Sequence, residues 1–517
     1  MKIVSVDQMQ TIERAANATG LSYSTMMQNA GQGIARWLVQ NIPYQRSVIG
    51  LIGSGNNGGD TLIALTWLAK WGVRTIAFLA KPRKHDSLLD EYLAYGGNVI
   101  DISGNDDLDI FEAALLPGAI VLDGILGTGF RLPLSGALLK VMENIHKRLV
   151  NRSDLLLIAV DCPSGVDCDT GEASDITLHT EHTLTMAAMK KGLLTHPART
   201  FAGELHYIDI GIGDPTLYLN HHLPVMVERT LLQDLFPKRP DSGHKGTFGT
   251  CLVIAGSSAY VGAAYLTGKA AYRAGCGLVN MGVMDDVYRA LSGQLIEAVW
   301  MVLPDIDGAY APEGLSDVKR ALQSADADVI GPGWGLHDVN ASFLEAVLQS
   351  LRLSVPLVID ADALKLLARI DKWWSLLPDQ VVLTPHPGEM SVLTGLEIDE
   401  IQANRWSIAL EFAKLWQVNL VLKGAMTVVA SPKEKIFINP CSDSALGTAG
   451  SGDVLTGMIG GLLAQGMPPE QASILGVSIH ALAGAIARRE QRTDVTVTAL
   501  DIFDCLPKAI VKIKEAG

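Results

Sequence analysis

Three polar clusters in the first half of the sequence fall where a strand gives way to a turn. The first, Gly53-Ser54-Gly55-Asn56-Asn57-Gly58-Gly59-Asp60, leads into a helical pattern from Thr61 to Trp71. Such a turn presents free amides and the positive end of a helix to a phosphate, although the same glycines suit a tight turn that needs only steric room. The spacing Gly-x-Gly-x-x-Gly fits only as Gly53, Gly55 and Gly58, and Asn56-Asn57 adds side-chain oxygens that a dinucleotide fingerprint does not require. The other clusters are Asp123-Gly124-Ile125-Leu126-Gly127-Thr128-Gly129 and Asp161-Cys162-Pro163-Ser164-Gly165-Val166-Asp167. In an open parallel sheet all three converge on the crevice at the carboxyl edge. Oxygens of Asn57, Asp123 and Ser164, with backbone carbonyls, could there hold a hard monovalent or divalent cation.

The second half carries Gly447-Thr448-Ala449-Gly450-Ser451-Gly452-Asp453 ahead of an apolar helical stretch from Val454 to Gln465. Amides of Gly450, Ser451 and Gly452 would form an anion hole able to neutralise a phosphoryl group in transit. Asp453 stands beside it, placed either to take the proton of an attacking hydroxyl or merely to cap the helix. Lys423-Gly424-Ala425-Met426-Thr427 supplies a flexible turn with a cation and a hydroxyl, suited to clasping a nucleotide. Gly331-Pro332-Gly333-Trp334-Gly335 and Thr384-Pro385-His386-Pro387-Gly388-Glu389-Met390 would share that rim. Gly333 would let a flat ring approach the backbone, and His386, restrained between two prolines, reads as a positioned ligand contact.

Strands must place these clusters. Short β-branched runs recur between helical patterns at Ser47–Gly53, Arg74–Ala80, Ala119–Asp123 and Leu155–Asp161. The rhythm restarts with Cys251–Gly256, Leu278–Val283, Asp328–Gly331, Leu357–Asp360, Val381–Thr384 and Asn419–Lys423. Alternation of this kind predicts two α/β domains with parallel sheets. Between them Gly211 to Pro240 is punctuated by proline, so a linker is expected near 225–238, separating domains 1–225 and 235–517.

The chain of 517 residues is too long for one ordinary core. A formal charge of −14 would repel phosphate backbones and anionic lipid, so neither nucleic acid nor membrane is an expected partner. The first residues carry Asp7 and Glu13 and no long apolar run, unlike a signal peptide. Six cysteines without a Cys-x-x-Cys pair read as reduced thiols in the cytoplasm, and twelve histidines without a helical His-x-x-x-His pair argue against a transition-metal enzyme.

The three N-terminal clusters together resemble the NAD(P)H-hydrate epimerases, over roughly residues 1–220. That resemblance implies a Rossmann-like doubly wound domain with K+ at Asn57, Asp123 and Ser164. It implies contacts to NADH hydrate or NADPH hydrate from Asn57, Gly58, Gly59, Asp60, Thr61, Gly127, Thr128, Gly129, Phe130, Arg131, Leu132, Pro133 and Asp161. Two departures, Thr61 for the more frequent glycine and Cys162 for isoleucine, remove no presumed ligand, and Thr61 bears on how closely phosphate approaches. Inverting the hydroxyl-bearing carbon needs proton transfers, for which Asp161 is the candidate acid-base group; its alternative role is to cap the Pro163 turn.

From about 235 to 510 the C-terminal motifs, with His244-Lys245-Gly246-Thr247-Phe248-Gly249 and Asp360-Ala361-Asp362-Ala363-Leu364, resemble the ADP-dependent NAD(P)H-hydrate dehydratases, a ribokinase-like α/β branch. The resemblance assigns Ala263, Gly333, His386 and Asp453 to the hydrate, and Lys423, Gly424, Ala425, Met426, Thr427 and Gly452 to ADP, carried with Mg2+. It implies phosphorylation of the hydrate's hydroxyl and loss of phosphate, giving NAD(P)H, AMP and phosphate from the S epimer. A homo-oligomer is expected. Two other readings stay open: a small-molecule kinase that leaves phosphate on its product, and an N-terminal half that is a scaffold without catalysis.

Overall fold

The computed structural model describes residues 1–42, 47–83, 86–104, 108–219 and 222–515. It divides into two compact units, Met1–Pro224 and Val225–Gly517.

In the first unit seven strands form one sheet: β1 (Val48–Ile52), β2 (Thr75–Leu79), β3 (Asn98–Asp101), β4 (Ile120–Gly124), β5 (Leu156–Val160), β6 (His182–Met186) and β7 (Glu204–Ile208). Their order is β3-β2-β1-β4-β5-β6-β7, with every neighbouring pair parallel. The chain reverses its direction of travel between β1 and β4, so a crevice opens beyond their carboxyl ends. β1 is buried along its whole length, and its side chains alternate between two cores. Val48 and Ile52 join Ile34, Leu38 and Leu62 of helices α1 (Tyr23–Asn41) and α2 (Asn56–Lys70) on one face. Ile49 and Leu51 join Phe78, Phe111 and Ile145 on the other. Burying each such side chain contributes roughly 1.5–3 kcal/mol before chain entropy is charged against it.

The second unit is built on ten strands: β8 (Val225–Met226), β9 (Thr250–Ile254), β10 (Leu278–Met284), β11 (Val299–Leu303), β12 (Ala327–Ile330), β13 (Leu357–Ile359), β14 (Val381–Leu383), β15 (Asn419–Leu422), β16 (Val428–Ala430) and β17 (Ile436–Ile438). Their order is β8-β17-β16-β15-β14-β13-β12-β9-β10-β11. The run from β15 to β11 is parallel, β16 is antiparallel to both of its neighbours, β15 and β17, and β8 is parallel to β17. Helix α6 (Ser451–Ala464) lies across this sheet and against helix α4 (Val261–Ala274), and glycines make the approach possible. A Cβ on Gly457 would lie 2.1 Å from the Thr267 carbonyl oxygen, and one on Gly461 2.4 Å from that of Ala271. The following helix, α7 (Pro469–Gln491), is long and apolar enough to cross a membrane, but 72% of its apolar window is buried within the protein.

The residues read as a linker are built into the second unit. β8 adds to the sheet beside Phe437 and Ile438. Helix α3 (Arg229–Leu235) is fixed through Gln233, whose Nε2 donates to the Ile513 carbonyl at 2.9 Å at the end of helix α8 (Ala499–Lys514). The prolines at 237 and 240 therefore follow a packed strand and helix. A fragment starting at residue 235 loses β8 and nearly all of α3, so it is expected to melt several degrees below a fragment starting at Val225, while residues 1–224 unfold cooperatively alone. Equal melting temperatures for the two longer fragments would show that β8 and α3 add no stability.

Candidate functional sites

At the carboxyl edge of the first sheet, one chain of hydrogen bonds joins the three clusters. The Asn57 amide nitrogen donates to the Leu126 carbonyl at 2.7 Å, and the Leu126 amide donates to Ser164 Oγ at 2.9 Å. Ser164 donates in turn to Asp123 from its hydroxyl (2.5 Å) and from its backbone amide (2.8 Å). Asn57, Asp123 and Ser164 are all buried, and Asn57 Oδ1 has no hydrogen-bond partner. Burial pushes the Asp123 carboxyl up, against the hydrogen bonds from Ser164 that pull it down. An orphaned amide oxygen beside a buried carboxylate and a hydroxyl is a donor set suited to a hard cation.

The glycines of the first turn divide by role. Cβ atoms on Gly53 and Gly58 would meet backbone oxygens at 1.8 and 2.1 Å, whereas Gly55 faces open space. Thr61 is fully buried, donating to the Asn57 carbonyl at 2.8 Å, and a Cβ on Gly124 would lie 2.0 Å from its hydroxyl. It packs inward against the strand, so its side chain is closed off from solvent. The Gly127–Pro133 loop is fastened to the third cluster by Arg131, which reaches Asp169 at 2.9 Å and Asp167 at 3.6 Å. Of that loop Gly129, Arg131 and Pro133 are exposed.

Asp161 follows β5 with φ at +63°, a left-handed conformation that turns its carboxylate toward β6 and away from the Pro163 turn. Its Oδ1 accepts from Thr185 Oγ1 at 3.2 Å, the Met186 amide at 3.1 Å, and the ammonium of Lys190. Lys190 is 1% exposed and also donates to Thr185 Oγ1 and the Met186 carbonyl. Two further acids belong to this group. Asp60 is raised well above the ordinary carboxyl range by burial, then by the charges of Asp161 and Glu13. Glu13 is raised by burial, with Lys190 pulling it down. Neither Lys190 nor Glu13 carries a sequence signal: one of two adjacent lysines is buried, and Glu13 arrives on an amphipathic helix, Val6–Ala18.

The second rim is organised by Lys423, at the end of β15. Its ammonium lies 2.7 Å from Asp360 Oδ1 and 3.7 Å from Glu389 Oε2. Thr456 of α6 donates to the other Asp360 oxygen at 2.6 Å. Burial would lower Lys423, but Asp360 and Glu389 more than offset it and hold it above the ordinary lysine range. Asp453 is pushed up to about 7 by burial first and the Asp360 charge second, with Lys423 acting against both. Glu389 reaches about 7 for the same reasons. Gly452 faces this group, since a Cβ there would lie 3.4 Å from Lys423 Nζ.

Helix α6 is capped by Gly450 in the left-handed conformation, and Asp453 sits in its first turn, so the carboxylate is not the cap. The Ser451 amide is turned to the Thr448 carbonyl at 3.3 Å, which leaves the amides of Gly452 and Asp453 at the helix's open end. The Lys423–Thr427 turn joins the antiparallel strands β15 and β16, with Gly424 and Ala425 exposed at its tip and Met426 buried. Thr427 donates to the Gly424 carbonyl at 2.9 Å. Beneath the turn Arg405, found only in the structure, donates to the carbonyls of Leu422 and Lys423; burial lowers it to about 10.

Two motif residues also have structural roles that the sequence did not show. His386 caps helix α5 (Pro387–Thr394), its Nδ1 accepting from the amides of Gly388 (3.0 Å) and Glu389 (3.3 Å). That places the ring proton on Nε2, which lies 3.4 Å from Glu389 Oε1. Burial and Lys423 both depress its protonation. Gly333 has φ at +69°, and a Cβ there would lie 2.8 Å from those of Ala263 and Tyr260. Its missing side chain lets the start of helix α4 come close, which brings Gly333 and Ala263 together.

Comparison with known proteins gives both halves a family. Residues 24–192 match the YjeF-related protein N-terminus, and residues 251–508 match NAD(P)H-hydrate dehydratase. The bifunctional NAD(P)H-hydrate repair enzyme of Moorella thermoacetica is 34% identical over 528 residues, covering 100% of this chain and 98% of that protein. The one from Escherichia coli is 30% identical, covering 96% and 91%. A ribokinase-like superfamily protein from Enterococcus faecalis, 24% identical, shares the fold of 57% of this chain and 100% of its own, with a TM-score of 0.50. The chain thus belongs to the family of bifunctional NAD(P)H-hydrate repair enzymes.

Proposed function

We propose that the first unit interconverts the R and S hydrates of NADH and NADPH through Asp161, and that the second dehydrates the S hydrate with ADP as phosphoryl donor. The observation that carries the second assignment is the open N-terminus of α6, with Asp453 in its first turn and Lys423, 17% exposed and paired to buried Asp360, facing Gly452. Helix amides there receive a phosphate, and Asp453 accepts the proton of the hydrate's hydroxyl as its oxygen attacks the β-phosphorus of ADP. AMP leaves. The ring carbon–oxygen bond then breaks with phosphate as leaving group, and loss of a proton from the neighbouring carbon restores the dihydropyridine. Ala263, Gly333 and His386 are assigned to the hydrate, and Lys423, Gly424, Ala425, Met426, Thr427 and Gly452 to the nucleotide.

In the first unit Asn57–Thr61, with Thr61 acting only by supporting the turn, and the Gly127–Pro133 loop are assigned to the hydrate, with Asp161 moving the proton. Lys190 holds that carboxylate in place. The buried, partnerless Asn57 Oδ1 with Asp123 and Ser164 fits K+, whose charge would offset that of Asp123 and steady the three turns. Carboxylates outnumber cations on the second rim, which fits entry of the nucleotide with Mg2+; Asp360, Asp362 and Glu389 are the hard oxygen donors there. The setting we assign is the cytoplasm, in keeping with six free cysteines.

Three measurements test this reading. Asp453→Asn is expected to retain ADP but to slow NADH recovery about 100-fold or more, the usual scale for loss of a positioned base. A carboxyl near 7 binds its proton below that pH, so wild-type kcat/KM should fall as pH drops through about 7, a limb absent from Asp453→Asn. Near-normal turnover would reduce Asp453 to a structural acid, and a phosphorylated product that keeps its phosphate would make the unit a kinase. Secondly, Asp161→Asn with ADP should exhaust the S hydrate quickly and leave R draining only at its spontaneous rate; fast loss of both epimers, resolved by chromatography, would refute the assignment. Finally, replacing K+ by tetramethylammonium should slow epimerisation, and an unchanged rate would remove the cation from Asn57, Asp123 and Ser164.

A further inference from the structure

At the edge of the first sheet, away from the strand ends that carry the clusters, two histidines and a glutamate converge. His182 of β6 stands directly opposite Glu204 of β7 in the parallel register, and His206 lies two residues further along β7, opposite Leu184. Residues two apart on a strand share a face, so all three side chains project to the same side of the sheet. His182 Nδ1 lies 3.0 Å from His206 Nε2 and 3.6 Å from Glu204 Oε2, and His206 Nε2 lies 3.9 Å from the same oxygen. The Trp37 indole of α1 packs against both imidazoles, with ring centroids 5.2 Å from His182 and 4.6 Å from His206.

These distances match one ion's coordination sphere. Donors about 2.0–2.1 Å from a tetrahedral centre stand about 3.4 Å apart, within the 3.0–3.9 Å span of the three pairs. Two imidazole nitrogens and one carboxylate oxygen form a set that zinc and related divalent ions accept, and that Mg2+ and K+ do not favour. The histidines are each about one-fifth exposed and Glu204 is 72% exposed, so an ion can enter from solvent while Trp37 covers the opposite flank.

We propose that His182, Glu204 and His206 form a three-ligand site for a zinc-class divalent cation that ties the outermost strand, β7, to β6. The fourth coordination position opens toward solvent and takes water. The site shares no residue with those assigned to the hydrate, the nucleotide or K+, and it rests on strand register and donor spacing alone.

The test uses the tag-free full-length chain, stripped with a chelator and kept in K+ buffer so that the Asn57 site does not compete. Co2+ is added as the spectroscopic probe and Zn2+ as the competitor. One equivalent of Co2+ should bind at micromolar concentration with the visible bands of a low-coordinate nitrogen–oxygen site, be displaced by Zn2+, and raise the melting temperature of the first unit. His182→Ala/His206→Ala should lose that equivalent. Glu204→Gln, a change at an exposed position, keeps the test open should the double variant fail to fold, and should weaken binding by about tenfold or more. Absence of a micromolar equivalent in wild type, or equal binding by wild type and both variants, would overturn the site.

Discussion

A lysine ammonium removed from water must be met by carboxylates, and in each unit one such lysine sets where the acids stand. Lys190 is 1% exposed against Asp161, and Lys423 holds Asp360 at 2.7 Å. Breaking a buried pair by removing one partner costs about 3–5 kcal/mol, because the remaining charge has nowhere to go. The lysine therefore fixes the acid's position more firmly than any single hydrogen bond could. It also fixes which strands must end together: Lys190 joins the ends of β5 and β6, and Lys423 joins those of β13, β14 and β15 through Asp360, Glu389 and its own backbone.

Close approach of backbones is the second condition, and glycine supplies it. Of the two readings of the Gly53–Gly59 turn, steric room accounts for some of its glycines and not for others. Gly53 and Gly58 leave no space for a Cβ, whereas Gly55 faces open space. Gly457 and Gly461 do the same for α6, letting its open end stand at the sheet edge beside Lys423. A Cβ forced into such contacts costs about 1–3 kcal/mol, and here it would also move the open end of α6.

The central strands were legible because a strand buried on both faces reads as a continuous apolar run. Val48–Ile52 and Val381–Leu383 are cases, each buried throughout. The edge strands were not: Glu204–Ile208 mixes charged, polar and apolar residues, and its partner His182–Met186 alternates threonine with apolar residues, patterns that occur in loops as well. The motif residues were legible by type, and the geometry joins Asn57, Asp123 and Ser164, then Lys423, Gly452 and Asp453. What sequence could not give is which way a side chain faces. Thr61 turns inward, the space beside Gly333 is filled by α4, and His386 spends one nitrogen on a helix cap. Lys190 was invisible beside Lys191 because burial of one of two adjacent lysines depends on the pairing of Met189–Lys190 with Ile3–Val4, a contact between distant parts of the chain.

Charge balance also connects the second rim to its chemistry. An aspartate at its ordinary value is too weak a base for a hydroxyl proton, and one raised far above neutrality would already be protonated. Burial and the charges of Asp360, Asp362 and Glu389 push Asp453 upward, and Lys423 restrains it, with the balance falling at about 7. The same ammonium restrains Glu389. Moving Lys423 would shift both acids together, so the residue that holds the strand ends in place also sets the proton affinity of Asp453 and Glu389. An arriving phosphate would be repelled by these carboxylates unless a cation came with it or the carboxylates took up protons. On the proposed reading the rim is better matched to a metal–nucleotide than to free phosphate, with charge acting before any contact to a base or ring.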